Sequence, residues 1–440
     1  MTDIVVPLLL LTAFSMLGVL LGTITGLVPG FHPNNVAVIL LSFSPVIVTE
    51  PRFLTAFAPP EMMPVLVAST ILAASIAHTF LSFIPAAFIG APEGDTALCL
   101  LPAHRLLLEG RAYESTVLSV IGSFGAVMFS FLFLIPFYFL ISVLHGYELL
   151  HSHILYVLIG ISALLILTDS FSERMEAYRA VLLSASVFFL AGVFGYVIQD
   201  LPVHSPVSFR STMLFPALTG LFGLSTILFS LLHTPEIPEQ RIEEPEMEKE
   251  GIVKSVISGS VLGALVSFLP GITSAHATVM AMLARRTREP EQVIMTLSSV
   301  NTANVMFCLA TLFLIFRARS GATIAIRSLL PVQPWETVIP PLALIYLLIA
   351  VLIASASSFF ITKYAGKQFS LLFVRVPYRT MLIAIVLFLY TLVFLFTGAL
   401  GLLILSVAAC IGLIPVYFGV RRSNCMGALL LPIMVRLWWM

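Results

Sequence analysis

Apolar residues in this chain fall in long unbroken runs, without the strict alternation of half-buried strands or the one-sided stripe of surface helices. At about 20 apolar residues per bilayer crossing, the runs predict membrane helices. Six lie near residues 5–28, 62–83, 117–144, 153–168, 180–198 and 213–232. After a polar stretch, five more lie near 253–269, 293–316, 338–361, 379–397 and 399–419. Shorter apolar pieces at 34–48, 84–101, 275–284, 321–330 and 426–438 are too short, or too broken by Pro and Gly, to cross; they read as half-helices or re-entrant loops. The predicted fold class is an all-α polytopic membrane protein with roughly 10–12 membrane helices. The first run has no Lys or Arg before it and no small-residue cleavage site, so it reads as a membrane helix and not as a removed signal peptide.

The polar stretch is HTPEIPEQRIEEPEMEKEG, His233 to Gly251, with seven glutamates and three prolines. It predicts a solvated acidic linker, residues 234–252, between a first transmembrane repeat, 1–233, and a second, 253–440. The two halves align at Pro29-Gly30 and Pro270-Gly271: LGTITGLVPG from Leu21 superposes on LGALVSFLPG from Leu262, and in each copy small polar residues and another short apolar helix follow. A weaker likeness pairs Gly90-Ala91 and Leu100-Leu101-Pro102 with Gly321-Ala322 and Leu329-Leu330-Pro331. Six crossings before the linker would make the repeats parallel, and one re-entrant segment counted as a crossing would make them inverted.

In hydrocarbon an unwound Pro-Gly turn is tolerated only where protein covers it or it lines a cavity. Such a break creates new helix ends: N–H groups and a partial positive charge that suit an anion, and carbonyls that suit Na⁺. One Pro-Gly could simply end a helix at the membrane surface. A matched pair in two repeats is the sequence signature of a secondary transporter's binding site.

Composition narrows the function further. The chain is 59% hydrophobic and 10% charged, against roughly 25% charged in soluble proteins, which excludes a water-soluble enzyme. Twenty-two basic residues balance twenty-two acidic ones, so nothing points to nucleic acid as a partner. Cys99, Cys308, Cys410 and Cys425 are scattered within or beside apolar runs and read as small buried hydrophobes, with no metal site or disulfide frame. No phosphate-binding loop, H-E-x-x-H or G-x-S-x-G occurs, and His145, His151 and His153 look like a loop outside the membrane.

The candidate binding residues cluster at the breaks. Thr25, Pro29, Gly30, His32, Asn34 and Asn35 surround the first, and Pro270, Gly271, Thr273, Ser274 and His276 the second. A membrane Thr usually bonds its own helix, but His and Asn side chains in lipid must face protein, water or a ligand. Ser298, Asn301 and Asn304 recur three residues apart on one helix face, either coordinating a ligand or joining helices by hydrogen bonds. Glu93 and Asp95 are ion or proton ligands if their loop is re-entrant, and ordinary surface charges otherwise. Arg317, Arg319 and Arg327 read as surface anchors more than as anion clamps. The clusters at Arg285-Arg286-x-Arg288 and at Lys363, Lys367, Arg375 and Arg379 read as cytoplasmic loops.

Several of these segments resemble the TctA family, the large membrane subunit of the tripartite tricarboxylate transporters. GTITGLVPGFHPNN, Gly22 to Asn35, is similar to the family's N-terminal motif, and Gly263 to Ser274 to the motif opening its second half. Phe83 to Ala112 and EPEQVIMTLSSVNTAN, Glu289 to Asn304, resemble two further family regions, so the likeness reaches across most of the chain. The chain departs from the family pattern at Phe31-His32-Pro33, at Asn301-Thr302-Ala303-Asn304, and at FRARSG, 316–321, where a Gly-Ile-Pro-Gly loop is usual. The resemblance implies inverted repeats and a multi-pass protein of the cell membrane. It also implies a permease partnered by a small membrane subunit and an extracytoplasmic binding protein. The function expected is secondary active transport of a small organic anion, with di- and tricarboxylates in view, driven by Na⁺ or H⁺ and needing no other cofactor. The rival readings are an intramembrane enzyme on a lipid-linked or small substrate, and a passive channel or scaffold.

Overall fold

A computed structural model describes residues 2–28, 37, 40, 62–89, 100–167, 176–206, 212–233, 238–268, 274–285, 289–375 and 378–439. Among these the regular structure is helical. Seven helices are long and apolar enough to cross a membrane: Val5–Leu27, Met63–Phe88, Ala112–Val143, Ala177–Gln199, Pro290–Ile315, Leu342–Leu372 and Leu382–Phe418. Large apolar side chains such as Leu9, Leu132, Leu182, Phe360 and Leu387 point outward, as a lipid solvent permits.

In chain order the helices are α1 Thr2–Leu27, α2 Met63–Leu81, α3 Leu100–Leu108, α4 Ala112–Tyr138, α5 Gly146–His151, α6 Ile154–Leu167 and α7 Ala177–Gln199. Then come α8 Leu214–Leu218 and α9 Ser225–His233, joined by a π-helical turn at Thr219–Leu224. The second half holds α10 Lys249–Val266, α11 Ser274–Arg285, α12 Pro290–Ile315, α13 Gly321–Leu329, α14 Leu342–Arg375, α15 Tyr378–Phe418 and α16 Gly427–Trp438. The predicted short pieces at 275–284, 321–330 and 426–438 are α11, α13 and α16. The span expected at 338–361 begins later and runs further, because Pro340-Pro341 cannot continue a helix and the chain stays helical beyond its apolar part.

Continuous as it looks, α15 is a hairpin. Gly398 has φ 70° and ψ −164°, and the Tyr390 hydroxyl, eight residues before it, lies 3.0 Å from the Ser406 hydroxyl, eight residues after it. A Cβ at Gly398 would stand 2.3 Å from the His204 carbonyl, so both the backbone angle and the space require glycine. The predicted pair at 379–397 and 399–419 is therefore two arms. Cys308 and Cys425 are buried as expected, but Cys410 on the second arm is exposed, since its side of the helix is the one that neighbouring helices leave uncovered.

Two helix pairs form the centre, and each is sealed by small residues. A Cβ built on Gly22 of α1 would lie 2.3 Å from the Ala74 carbonyl of α2, and one on Gly263 of α10 would lie 2.6 Å from the Val300 carbonyl of α12. Gly18 and Gly259, one turn earlier, make the same approach to Thr70 and Thr296. Spacing of Gly every four residues lets the backbones close to near contact. Within each pair the helices run parallel, since later glycines meet later residues of the partner.

Between pairs the direction reverses. The starts of α4 and α12 meet at Arg111, whose guanidinium lies 2.6 Å from Glu114 and 2.8 Å from Glu291. These acids, Glu114 first, push the pKa of Arg111 further up and hold it charged. Near the end of α14, Lys363 binds Glu244 of the linker at 2.6 Å, so this is the linker face. The start of α14 lies opposite, where Tyr346 and Ile349 pack on Leu11 of α1 and Met63 of α2. At the linker face the far end of the Met63–Phe88 span returns, with Phe88 5.9 Å from Phe369. Thus α1 and α2 run toward the linker face, and α10 and α12 run away from it. Each pair is followed by a short helix, α3 or α13, and then a long one, α4 or α14. Leu100-Leu101-Pro102 opens α3 whereas Leu329-Leu330-Pro331 closes α13, so the weaker sequence likeness joins opposite ends of two helices.

Residues 238–248 of the linker have no regular structure, yet one of them is buried. The Gln240 carbonyl accepts from the Ala112 N–H at 3.1 Å, and its amide donates to the Leu107 and Pro238 carbonyls at 3.0 and 2.9 Å. The Arg241 N–H donates to the Gly110 carbonyl at 2.8 Å. The strap differs from a freely solvated linker because the ends of α3 and α4 leave polar backbone groups that this amide satisfies. Gln240→Ala strands them, and thermal unfolding in detergent is expected to register a loss of about 1–3 kcal/mol.

Candidate functional site

The two central pairs meet where α2 crosses α12, with the Thr79 and Thr302 hydroxyls 3.2 Å apart. The ends of α1 and α10 flank this crossing, the first at His78 and the second at Cys308. At the end of α1, the buried Thr25 hydroxyl donates to the Gly22 carbonyl at 3.1 Å and lies 3.2 Å from Nδ1 of His78. A hydroxyl has one proton, so with that proton on Gly22 the His78 Nδ1 is the donor to Thr25. His78 is itself buried, one residue before Thr79.

The end of α10 is built from different residues. The Ser267 hydroxyl donates to the Ala264 carbonyl at 2.6 Å, and the Cys308 thiol lies 3.4 Å from Oδ1 of Asn304 and 3.8 Å from the Ser267 carbonyl. From beyond α12, the half-buried Arg319 guanidinium donates to the Val266 carbonyl, one of the last of α10. Such terminal carbonyls lack helical partners and carry partial negative charge, which a cation there offsets. Its neighbour Arg317 is exposed and lies over the Tyr147 ring at 4.7 Å.

The residues expected from sequence divide sharply. Thr25 stands at the crossing. Ser274 opens α11 fully buried, and among the described residues its hydroxyl has no hydrogen-bond partner. Asn301 is buried and Asn304 half-buried beside Cys308. Ser298 is joined to α4, its hydroxyl 2.8 Å from that of Ser119, and Ser299 donates to the Gly122 carbonyl at 2.9 Å; this part of the polar turn joins helices. His276 lies within α11. Pro29, Gly30, His32, Asn34, Asn35, Glu93, Asp95, Pro270, Gly271 and Thr273 lie outside the described residues.

Sequence reasoning passed over His78 and underrated Arg319. His78 had a signal: it is the one ionisable side chain between Glu61 and Glu93, and an ionisable group inside a membrane span is a site candidate by default. Arg319 had only its position in the segment that departs from the family pattern. Together these groups present hydroxyls, an amide, an imidazole and a guanidinium around two helix ends. Among the described residues no cluster of His, Cys, Asp and Glu could hold a metal ion. The set suits an anion, with an imidazole able to carry a proton.

Residues 12–427 match the tripartite tricarboxylate transporter TctA family. The chain is 30% identical over 425 residues to the uncharacterized protein MJ1079 of Methanocaldococcus jannaschii, covering 95% of this chain and 97% of that one. No solved structure matches. With a match that begins inside α1 and ends at the first residue of α16, the chain is a multi-pass membrane protein of the TctA family of tripartite tricarboxylate transporters.

Proposed function

We propose that this chain is the permease of a secondary transport system for a small organic anion, a di- or tricarboxylate, driven by a Na⁺ or H⁺ gradient. The observation that carries this reading is the crossing of two glycine-sealed helix pairs of opposite direction at Thr79–Thr302, with the ends of α1 and α10 flanking it at His78 and Cys308. Inverted repeats joined at discontinuous helices are how secondary transporters place a site midway through the bilayer. The two pairs then define repeats on either side of the acidic strap. Arg319 and the start of α11 supply positive charge for carboxylates, while His78 or the carbonyl ends supply the coupling ion.

Arg105, Arg111, Lys254 and Lys363 lie on the linker face, and under the positive-inside rule they support a cytoplasmic placement of that face in a cell membrane. A small membrane subunit and a binding protein on the other side would complete the system. The test is thermal unfolding of the purified chain against a panel of di- and tricarboxylates, with Na⁺ or K⁺ and at two pH values. A ligand at 100 times its Kd adds about 2.7 kcal/mol of stability. A shift for one carboxylate class that depends on Na⁺ or pH is expected; no shift with any carboxylate under any condition overturns the substrate class.

A further inference from the structure

The second arm of α15 ends in a tight turn, and this turn lies deep in the protein. Gly419 has φ 75°, residues Arg422–Met426 form one 3₁₀ turn, and α16 then runs back. Cys425, Met426 and Ala428 pack against Val187 and Ala191, halfway along the α7 span, so the turn sits at about the middle of the hydrocarbon. Arg422 is 7% exposed there, the one arginine in the buried class among the described residues.

Its partners are all neutral. One guanidinium nitrogen donates to the Thr226 hydroxyl of α9 and, at 3.4 Å, to the Phe222 carbonyl of the π-helical turn. Among the described residues it makes no ion pair, whereas Arg111 has three glutamates and Arg436 has Asp200 at 2.8 Å. The buried Cys425, and His104 of α3, lie close enough to feel the arginine's charge. A second positive feature stands beside it. α16 continues directly from the 3₁₀ turn, so that Arg422 opens a composite helical stretch whose positive end lies at the same depth.

A guanidinium is charged under all physiological conditions, costs free energy in a low-dielectric interior, and inside a membrane span marks a site candidate by default. Two neutral oxygens occupy part of its fork, and none of the described residues supplies it an acid. We propose that the Arg422 turn binds an oxyanion of the phosphate or carboxylate type, held by the guanidinium between α3 and α9. This site is separate from the Thr79–Thr302 crossing and does not depend on the transport reading. The same headgroup chemistry is offered by a free anion and by an anionic lipid.

The test is thermal unfolding of the full chain in detergent with inorganic phosphate or sulfate, against chloride at equal ionic strength. It is run on delipidated protein and on protein supplemented with phosphatidylglycerol or phosphatidylcholine. Expected is a rise of several degrees with the oxyanions, or with phosphatidylglycerol alone if the source is a lipid. The rise is abolished in Arg422→Gln and retained in Arg319→Gln, which removes the cation of the other site. Arg422→Lys, which keeps the charge and loses the fork, is expected to keep a smaller rise, and it decides the matter if Arg422→Gln is not recovered folded. An undiminished rise in the Arg422 variants, or no rise with any oxyanion or anionic lipid, overturns the proposal.

Discussion

Gly263→Val is expected to prevent recovery of folded protein. A Cβ there meets the Val300 carbonyl at 2.6 Å and the Ala303 Cβ at 2.8 Å, and neither is the movable end of a long side chain. The helices must separate, and the Cys308–Ser267 contact is lost with the seam. Overpacking a core costs about 1–3 kcal/mol when side chains can rearrange, and more where only backbone can give. A protein of ordinary marginal stability does not survive that loss at its centre. Gly22→Val, facing the Ala74 carbonyl at 2.3 Å, is expected to behave alike. Gly160→Ala in α6 is the control, since nothing lies within 4 Å of its added methyl, and stability there should hold or rise. Size-exclusion chromatography and thermal unfolding in detergent read the result; a monodisperse Gly263→Val protein melting with the parent would mean the seam is not as close as described.

His78→Ala is expected to lower gradient-driven anion uptake by roughly 10- to 100-fold, the equivalent of losing about 1–3 kcal/mol of buried hydrogen bonding. The imidazole sits where α1 ends, with its Nδ1 proton committed to Thr25, so its removal frees the helix end nearest the crossing. Thr25→Val removes the same contact while keeping the ring, and a smaller loss is expected. Uptake into vesicles with an imposed gradient, compared with exchange of labelled for unlabelled anion without one, separates two roles. A proton-carrying His78 predicts lost uptake with exchange spared. Equal loss of both, restored by His78→Gln, would assign the residue to structure alone.

How much of this was legible in the sequence depends on how local each cause is. The crossings follow from apolar length, and the α15 hairpin from a Gly between two long runs, because both are fixed by neighbouring residues. The glycine seams were visible as the aligned Leu21-Gly22 and Leu262-Gly263, though nothing in the spacing told that each would face a carbonyl. Long-range pairings were not visible. Thr25 and His78 are 53 residues apart and Thr79 and Thr302 are 223 apart, and no period in the chain links them. Arg319 looked like a surface anchor because charge beside a span usually is one; its descent onto Val266 depends on where α10 stops. The strap divides in the same way: seven glutamates announce water, and one glutamine among them decides where the chain is held.

The glycine seams also bear on how the molecule could move. Backbones packed at such close range interlock like gear teeth, so α1 with α2, and α10 with α12, behave as two stiff blades rather than four independent rods. Between the blades stand two hydroxyls, Thr79 and Thr302, whose contact is easily exchanged for water. Relative sliding is therefore cheapest along that line, and a change of state would shear the blades past each other there while leaving each one internally unchanged.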